Sequence, residues 1–163
     1  MSALVVLLVS VPATNGFGLD ALERRQNAAS TPVDDLAGRA AAARDSGRAE
    51  EALALYRQAL LARPDFDEGR WYIGTLLYEL DRYSEAKDAF SEVLRREPTH
   101  AGAIGLKGLC EFELRQYDAA LADLLQARQL GVARSPGIAS VVRYHAAILL
   151  NRTGEFELAN QIL

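Results

Sequence analysis

Along most of this chain the apolar residues fall three and four positions apart, the spacing that gathers them on one face of an α-helix. From Ala49 to Ala62 the stripe is Ala52, Leu53, Tyr56, Ala59 and Leu60. A helix ahead of it is predicted from Pro32, with Thr31 as cap and proline in the first turn, where no donor is lost. Asp45-Ser46-Gly47 separates the two, because glycine tolerates the left-handed conformation that ends helices. The clearest stretch is Asp67 to His100, DEGRWYIGTLLYELDRYSEAKDAFSEVLRREPTH, which reads as two amphipathic helices, a turn between them and a proline behind. Pro64 and Pro98 stop the second helices, and Asp65 and Thr99 are then placed to cap the next first helices.

The pattern repeats. Ala52, Ala86 and Ala120 recur at a step of 34 residues, and so do Tyr83 and Tyr117, Gly74 and Gly108, Tyr56 and Phe90, and Pro64 and Pro98. A period of roughly 20 to 50 residues signals stacked supersecondary units. Three full units result, 33–66, 67–100 and 101–134. A partial fourth, 140–163, comes into line after a five-residue insertion, Ser135-Pro136-Gly137-Ile138-Ala139, because Ala159 lies 39 residues after Ala120 and brings Ala147, Gly154 and Phe156 into register. The small residues have a mechanical role: Gly74 and Ala86 let the two helices of a hairpin cross closely, while Phe90 and Tyr56 fill the space between units.

Two helices per 34 residues, with Ile73-Gly74, Tyr83, Ala86, Phe90 and Pro98 at their places, resembles the tetratricopeptide repeat. Trp71 and Leu77 hold that family's Trp and Tyr places only loosely; Ala40 stands where it prefers glycine, and Val132 where it prefers proline. The resemblance covers Val33 to Leu163 and implies an all-α fold, a right-handed α-solenoid of tetratricopeptide helix-turn-helix hairpins.

In such proteins the first helices line a concave groove for a partner. By resemblance the groove runs through Ala37, Ala41, Arg44 and Asp45, then Trp71, Thr75, Tyr78 and Glu79. It continues through Gly105, Leu109, Phe112 and Glu113 to Tyr144, Ile148, Asn151 and Arg152. From these, Arg44, Trp71, Thr75, Tyr78, Glu79, Leu109, Phe112, Glu113, Tyr144, Ile148 and Arg152 are the expected partner-binding residues. The alternative for the aromatics is packing within the protein itself. Family members that clamp the terminal carboxylate of heat-shock chaperones use Lys, Asn and Arg where this chain has Ala37, Ala41, Tyr72, Gly102 and Leu106, so that ligand is not expected. The implied function is non-catalytic binding of a peptide or protein segment; the alternative is a self-associating structural component.

Composition narrows the classes further. With 163 residues, half apolar and a quarter charged, one helical domain is expected rather than disorder. Eighteen Lys and Arg against 22 Asp and Glu give a net charge of −4, so no positive field gathers nucleic acid. The single cysteine, Cys110, falls in register with Leu76 and Ala42 and is expected in the core rather than as a nucleophile. His100 and His145 lack a second ligand at helical spacing, so no metal site and no cofactor are expected. Gly102, Gly105, Lys107 and Gly108 do not have Walker spacing; Gly102 and Gly105 would leave one helix face bare, open either to a ligand's backbone or simply to sequence drift.

At the start, Ala3 to Ala13 is apolar over the length of a signal-peptide core, too short for a membrane span, with Val11-Pro12-Ala13 as a small-residue cleavage site. Residues 1–13 are therefore expected to be a signal peptide and 14–32 a linker or short helix, giving a secreted or periplasmic protein. Against this, no Lys or Arg precedes Arg24, and a mis-assigned start or a buried N-terminal helix would leave the protein cytoplasmic. At the other end Ile162-Leu163 leaves an apolar last helix without a polar cap, open to fraying, to a homodimer contact or to further repeats.

Overall fold

The structure, a computed structural model, describes residues 31–132 and 136–163. The expected signal peptide, 1–13, and the linker up to residue 30 lie outside the described residues. The helices belong to the unit Pro32–Leu163.

Among the described residues there are eight helices: α1 Pro32–Asp45, α2 Ala49–Ala62, α3 Asp67–Glu79, α4 Tyr83–Arg96, α5 Ala101–Glu113, α6 Tyr117–Gln129, α7 Pro136–Thr153 and α8 Phe156–Ile162. They pair as four successive hairpins, and each hairpin packs on the next through α2 and α3, α4 and α5, and α6 and α7. First helices also touch one another, α3 with α5 and α5 with α7. This is the α-solenoid of helix-turn-helix hairpins that the resemblance to the tetratricopeptide repeat implies. No helix among the described residues is long and apolar enough to cross a membrane.

Each hairpin turns by the same device. Gly47, Asp81, Arg115 and Gly154 occupy the left-handed region, at φ 72°, 58°, 59° and 86°. The next residue's N–H then donates back to the carbonyl five residues earlier: Arg48 to Ala43 at 2.9 Å, Arg82 to Leu77 at 2.9 Å, Gln116 to Glu111 at 2.8 Å and Glu155 to Leu150 at 2.8 Å. Only the first and last turns use glycine. The left-handed conformation costs a residue with a Cβ about 1–2 kcal/mol, which packing on both sides of the turn must offset.

Small residues permit the crossings. A Cβ on Gly74 would lie 2.6 Å from the Phe90 ring, and one on Gly108 would lie 3.1 Å from both Asp123 Cβ and Leu124 Cγ. Phe90 and Leu124 are fully buried, as are Ala40, Ala86 and Ala120. A glycine in a helix interior costs roughly 1 kcal/mol relative to alanine, and here the buried aromatic or leucine takes up the vacated space.

Two expectations need correction. The caps of α3 and α5 are Phe66 and His100, not Asp65 and Thr99. Phe66 has no side-chain oxygen to offer and instead packs on Tyr56, ring centroids 6.4 Å apart, whereas His100 Nδ1 accepts from the Ala103 N–H at 3.0 Å. Nor does α5 have a bare face at its glycines. Gly102 lies against Trp71 and His100, and Gly105 against Val142 and Ile138 of α7 and Ala127 of α6, so the small residues admit neighbouring helices rather than a ligand.

The third hairpin carries a charge cluster in its interior. Lys107 bridges Glu111 Oε1, at 3.1 Å, and Asp123, at places where the second hairpin has Ile73, Leu77 and Ala89. Glu111 is 4% exposed and its Oε2 has no partner among the described residues. Burial raises the Glu111 carboxyl above its ordinary value, opposed by the Lys107 hydrogen bond and assisted by Asp123.

Two variants test the packing and the turns. Ala86→Leu, overfilling a position with no exposed surface, is expected to destabilise by about 1–3 kcal/mol in a denaturant titration; an unchanged midpoint would contradict the crossing. Arg115→Gly relieves about 1–2 kcal/mol of left-handed strain but loses about 0.5–1 to glycine's freer unfolded state. A net gain of about 0.5–1 kcal/mol is expected from the same titration.

Candidate partner-binding face

The face begins with the turns. Because each turn is built alike, Tyr78 and Glu79 of α3, Phe112 and Glu113 of α5, and Asn151 and Arg152 of α7 occupy equivalent positions, and Tyr144 stands two turns before the last of these. From α3 come Tyr78, partly buried, and Glu79, exposed; from α5 come Phe112, partly buried, and Glu113, exposed; from α7 come Tyr144, 58% exposed, partly buried Ile148 and exposed Arg152.

Aromatic edges tie these elements together. Tyr78 meets Tyr83, the first residue of α4, edge to face at 5.5 Å. Phe112 meets Tyr117, the first residue of α6, at 5.8 Å and His145 of α7 at 4.7 Å, both edge to face. The Arg152 guanidinium lies 4.0 Å over the Tyr117 ring. At the other end, Arg44 of α1 lies 4.1 Å over the Tyr72 ring, reaches the Tyr56 hydroxyl at 3.3 Å and pairs with Asp45 at 2.9 Å. Arg44 is thus held by its own chain.

The remaining expected residues serve packing more than display. Trp71 is partly buried, its ring 5.7 Å from Phe90 and 4.9 Å from His100. It borders two hollows of about 480 and 350 Å³ at the α4 to α5 junction, away from the Tyr78 and Phe112 rings. The Thr75 hydroxyl donates to the Tyr72 carbonyl at 3.0 Å within its own helix. Leu109 is a correction: at 3% exposure it belongs to the core. One helical turn before it, Gly105 lets Val142 of α7 approach to 3.0 Å from where a Cβ would stand.

Tyr83 and Tyr117 join the face from second helices although only first helices were expected to supply it, and His145 of α7 joins it although it was not among the expected residues. The signal was available for two of them: Tyr83 and Tyr117 recur at the 34-residue step directly after their turns. His145, beside Tyr144, had none.

The electrostatics are acidic at the centre. Burial raises the Tyr78 hydroxyl above its ordinary value, with Glu113, Cys110 and Asp81 adding to the shift. The Tyr83 hydroxyl donates to Asp81 Oδ1 at 2.5 Å, and that bond is the main cause of its raised pKa. Elsewhere, burial pushes the Cys110 thiol up to about 12, which keeps it protonated and inert at neutral pH.

Residues 43–110 match the family model for the tetratricopeptide repeat. Over 115 residues, 70% of this chain, the sequence is 28% identical to human protein O-mannosyl-transferase TMTC3, and that alignment takes in 12% of the human protein. Among solved structures, MamA from Desulfovibrio magneticus RS-1 superposes with a TM-score of 0.68 at 19% identity, covering 80% of this chain and 71% of that one. A tetratricopeptide repeat protein from Parabacteroides merdae gives 0.67 at 23% identity, covering 88% and 54%. PcrH from Pseudomonas aeruginosa gives 0.64 at 14% identity, covering 72% and 90%. At these identities the likeness is one of fold.

The contrast between packing and display is measurable. Trp71→Ala, which empties the junction against Phe90 and His100, is expected to lower stability by about 2–4 kcal/mol. Tyr144→Ala, at an exposed site, should stay within about 0.5 kcal/mol of wild type. Equal losses in a denaturant titration would contradict this division.

Proposed function

We propose, from the premise that this chain is a tetratricopeptide repeat protein, that it is a non-catalytic interaction module holding a peptide or protein segment across the first helices. One observation carries the reading. Tyr78 with Glu79, Phe112 with Glu113, and Tyr144 with Arg152 stand on successive first helices, partly or fully exposed, while the apolar residues of the scaffold are buried behind them. Aromatic and arginine side chains dominate the energetics of interfaces, and rigid helices present them without ordering cost at binding. The transferase activity in the human relative's name is not carried to this chain, which aligns with about an eighth of that protein. If residues 1–13 act as a signal peptide the module works outside the cytoplasm, and otherwise within it.

A second reading rests on a different surface. Phe156 and Leu163 of the last hairpin are 61% and 67% exposed, which suits a contact between copies of the chain. Light scattering across a concentration series separates the two, since a strictly monomeric protein removes self-association.

The test of the module is capture from the native compartment on immobilised wild type and on Glu113→Ala/Tyr144→Ala. Both sites are exposed, so the melt should hold while specific partners are lost. Partners retained equally by both would contradict the assigned face.

A further inference from the structure

We infer that the segment held on this face presents a cationic side chain, lysine or arginine, to the aromatic and acidic centre formed by Tyr78, Glu79, Asp81, Tyr83, Phe112 and Glu113. The inference rests on the interaction-module reading and sharpens it to a partner class.

The first ground is how this chain treats its rings. Three aromatics carry a guanidinium over the face: Tyr72 under Arg44 at 4.1 Å, Phe66 under Arg63 at 4.8 Å and Tyr117 under Arg152 at 4.0 Å. Tyr78, Tyr83 and Phe112 have no such cation among the described residues. Each touches other rings edge to face, and Tyr78 and Phe112 remain partly exposed. A ring face is the negative end of the aromatic quadrupole, and an approaching cation is attracted to it.

The second ground is how the chain treats its carboxylates. Asp67 is paired with Arg70 and Arg96, Glu85 with Arg82 and Arg57, and Glu51 with Arg48. Glu79, Asp81 and Glu113 have no basic partner within 4.0 Å among the described residues. Asp81 is satisfied as a hydrogen-bond acceptor by Tyr83, but that bond brings no positive charge. Burial first, and then the negative field of Glu113 with a smaller share from Asp81, raises the Tyr78 hydroxyl above its ordinary value, so the field of these carboxylates reaches that ring.

Charge complementarity then selects the occupant. An acidic segment would meet three carboxylates at short range. A purely apolar one would strip water from them without supplying a partner, and burying a charge unpaired is strongly unfavourable. A lysine or arginine flanked by small or apolar residues satisfies both the rings and the carboxylates, the geometry that Arg44 realises within the chain between Tyr72 and Asp45.

The test uses three pools of labelled nonapeptides with randomised flanks and a fixed central arginine, norleucine or glutamate, passed over the immobilised full chain. The arginine pool is expected to be retained about tenfold or more over the glutamate pool, and Glu79→Gln/Glu113→Gln should bring that ratio to within about twofold. Raising salt to about 0.5 M should weaken the wild-type preference in the same direction. Equal retention of the arginine and norleucine pools, lost in Glu113→Ala/Tyr144→Ala, would sink the charge inference and leave the module standing. An arginine preference that survives Glu79→Gln/Glu113→Gln would also overturn it, because the carboxylates would not be its source. Retention of no pool would bring down both readings. A wild-type dimer that dissociates in Glu79→Gln/Glu113→Gln would make the occupant a second copy's own cation and overturn the separate partner.

Discussion

Everything in this solenoid depends on how closely two helices of a hairpin can cross. Where Gly74 meets Phe90, the missing Cβ is replaced by the edge of a fully buried ring, and the helix axes come together. The same exchange occurs between Gly108 and Leu124. Close crossing keeps each hairpin thin, and thin hairpins stack so that α3, α5 and α7 touch as neighbours. A continuous face of first helices exists only because of that stacking. The link runs from an absent side chain, through packing distance, to an interaction surface.

The turns show where residue type and backbone part company. Gly47 and Gly154 announce a left-handed residue, but Asp81 and Arg115 take the same conformation at the equivalent positions, φ 58° and 59°. Arginine carries no local signal for it. The helices on both sides dictate the turn, and the backbone bonds from Arg82 to Leu77 and from Gln116 to Glu111 hold it. Helix bounds such as Ala49–Ala62 were legible because an amphipathic stripe flanked by breakers is a strong local signal. Caps were not, since Asp65 and Thr99 have the right chemistry one residue too early, and packing rather than a side-chain oxygen fixes Phe66 as the entry to α3.

The face was legible in outline only. Register arithmetic decides which side of a helix a residue lies on, not what stands in front of it. Leu109 has the same register position as Thr75, yet it is buried where Thr75 is only partly so, in a helix that α7 approaches closely at Gly105. Trp71 looks like a display residue by type, but the α4 to α5 junction folds against it and makes it a packing element. Tyr83 and Tyr117 show the converse. Their 34-residue recurrence was visible, while their contribution to the face depended on Tyr78 and Phe112 reaching across the turn to meet them.

In the third hairpin, stability and surface meet. At the places that hold Ile73, Leu77 and Ala89 in the second hairpin it holds Lys107, Glu111 and Asp123, a partly buried ion cluster in which Glu111 loses more of its hydration than its two partners. One Glu111 oxygen is left without a partner there among the described residues. The hairpin's other side compensates: Gly105 admits α7, Leu109 is closed off, and Cys110, Ala120 and Leu124 are fully buried. The eighteen residues of α7 make it the longest helix described, and the turns near Val142 lie over Gly105. The third repeat is therefore held both by the crossing of its own two helices and by its neighbour in the stack. The packing of α7 on α5 and α6 also brings His145 onto Phe112 and Arg152 onto Tyr117, so the stacking that adds to this repeat's stability also shapes its outer face.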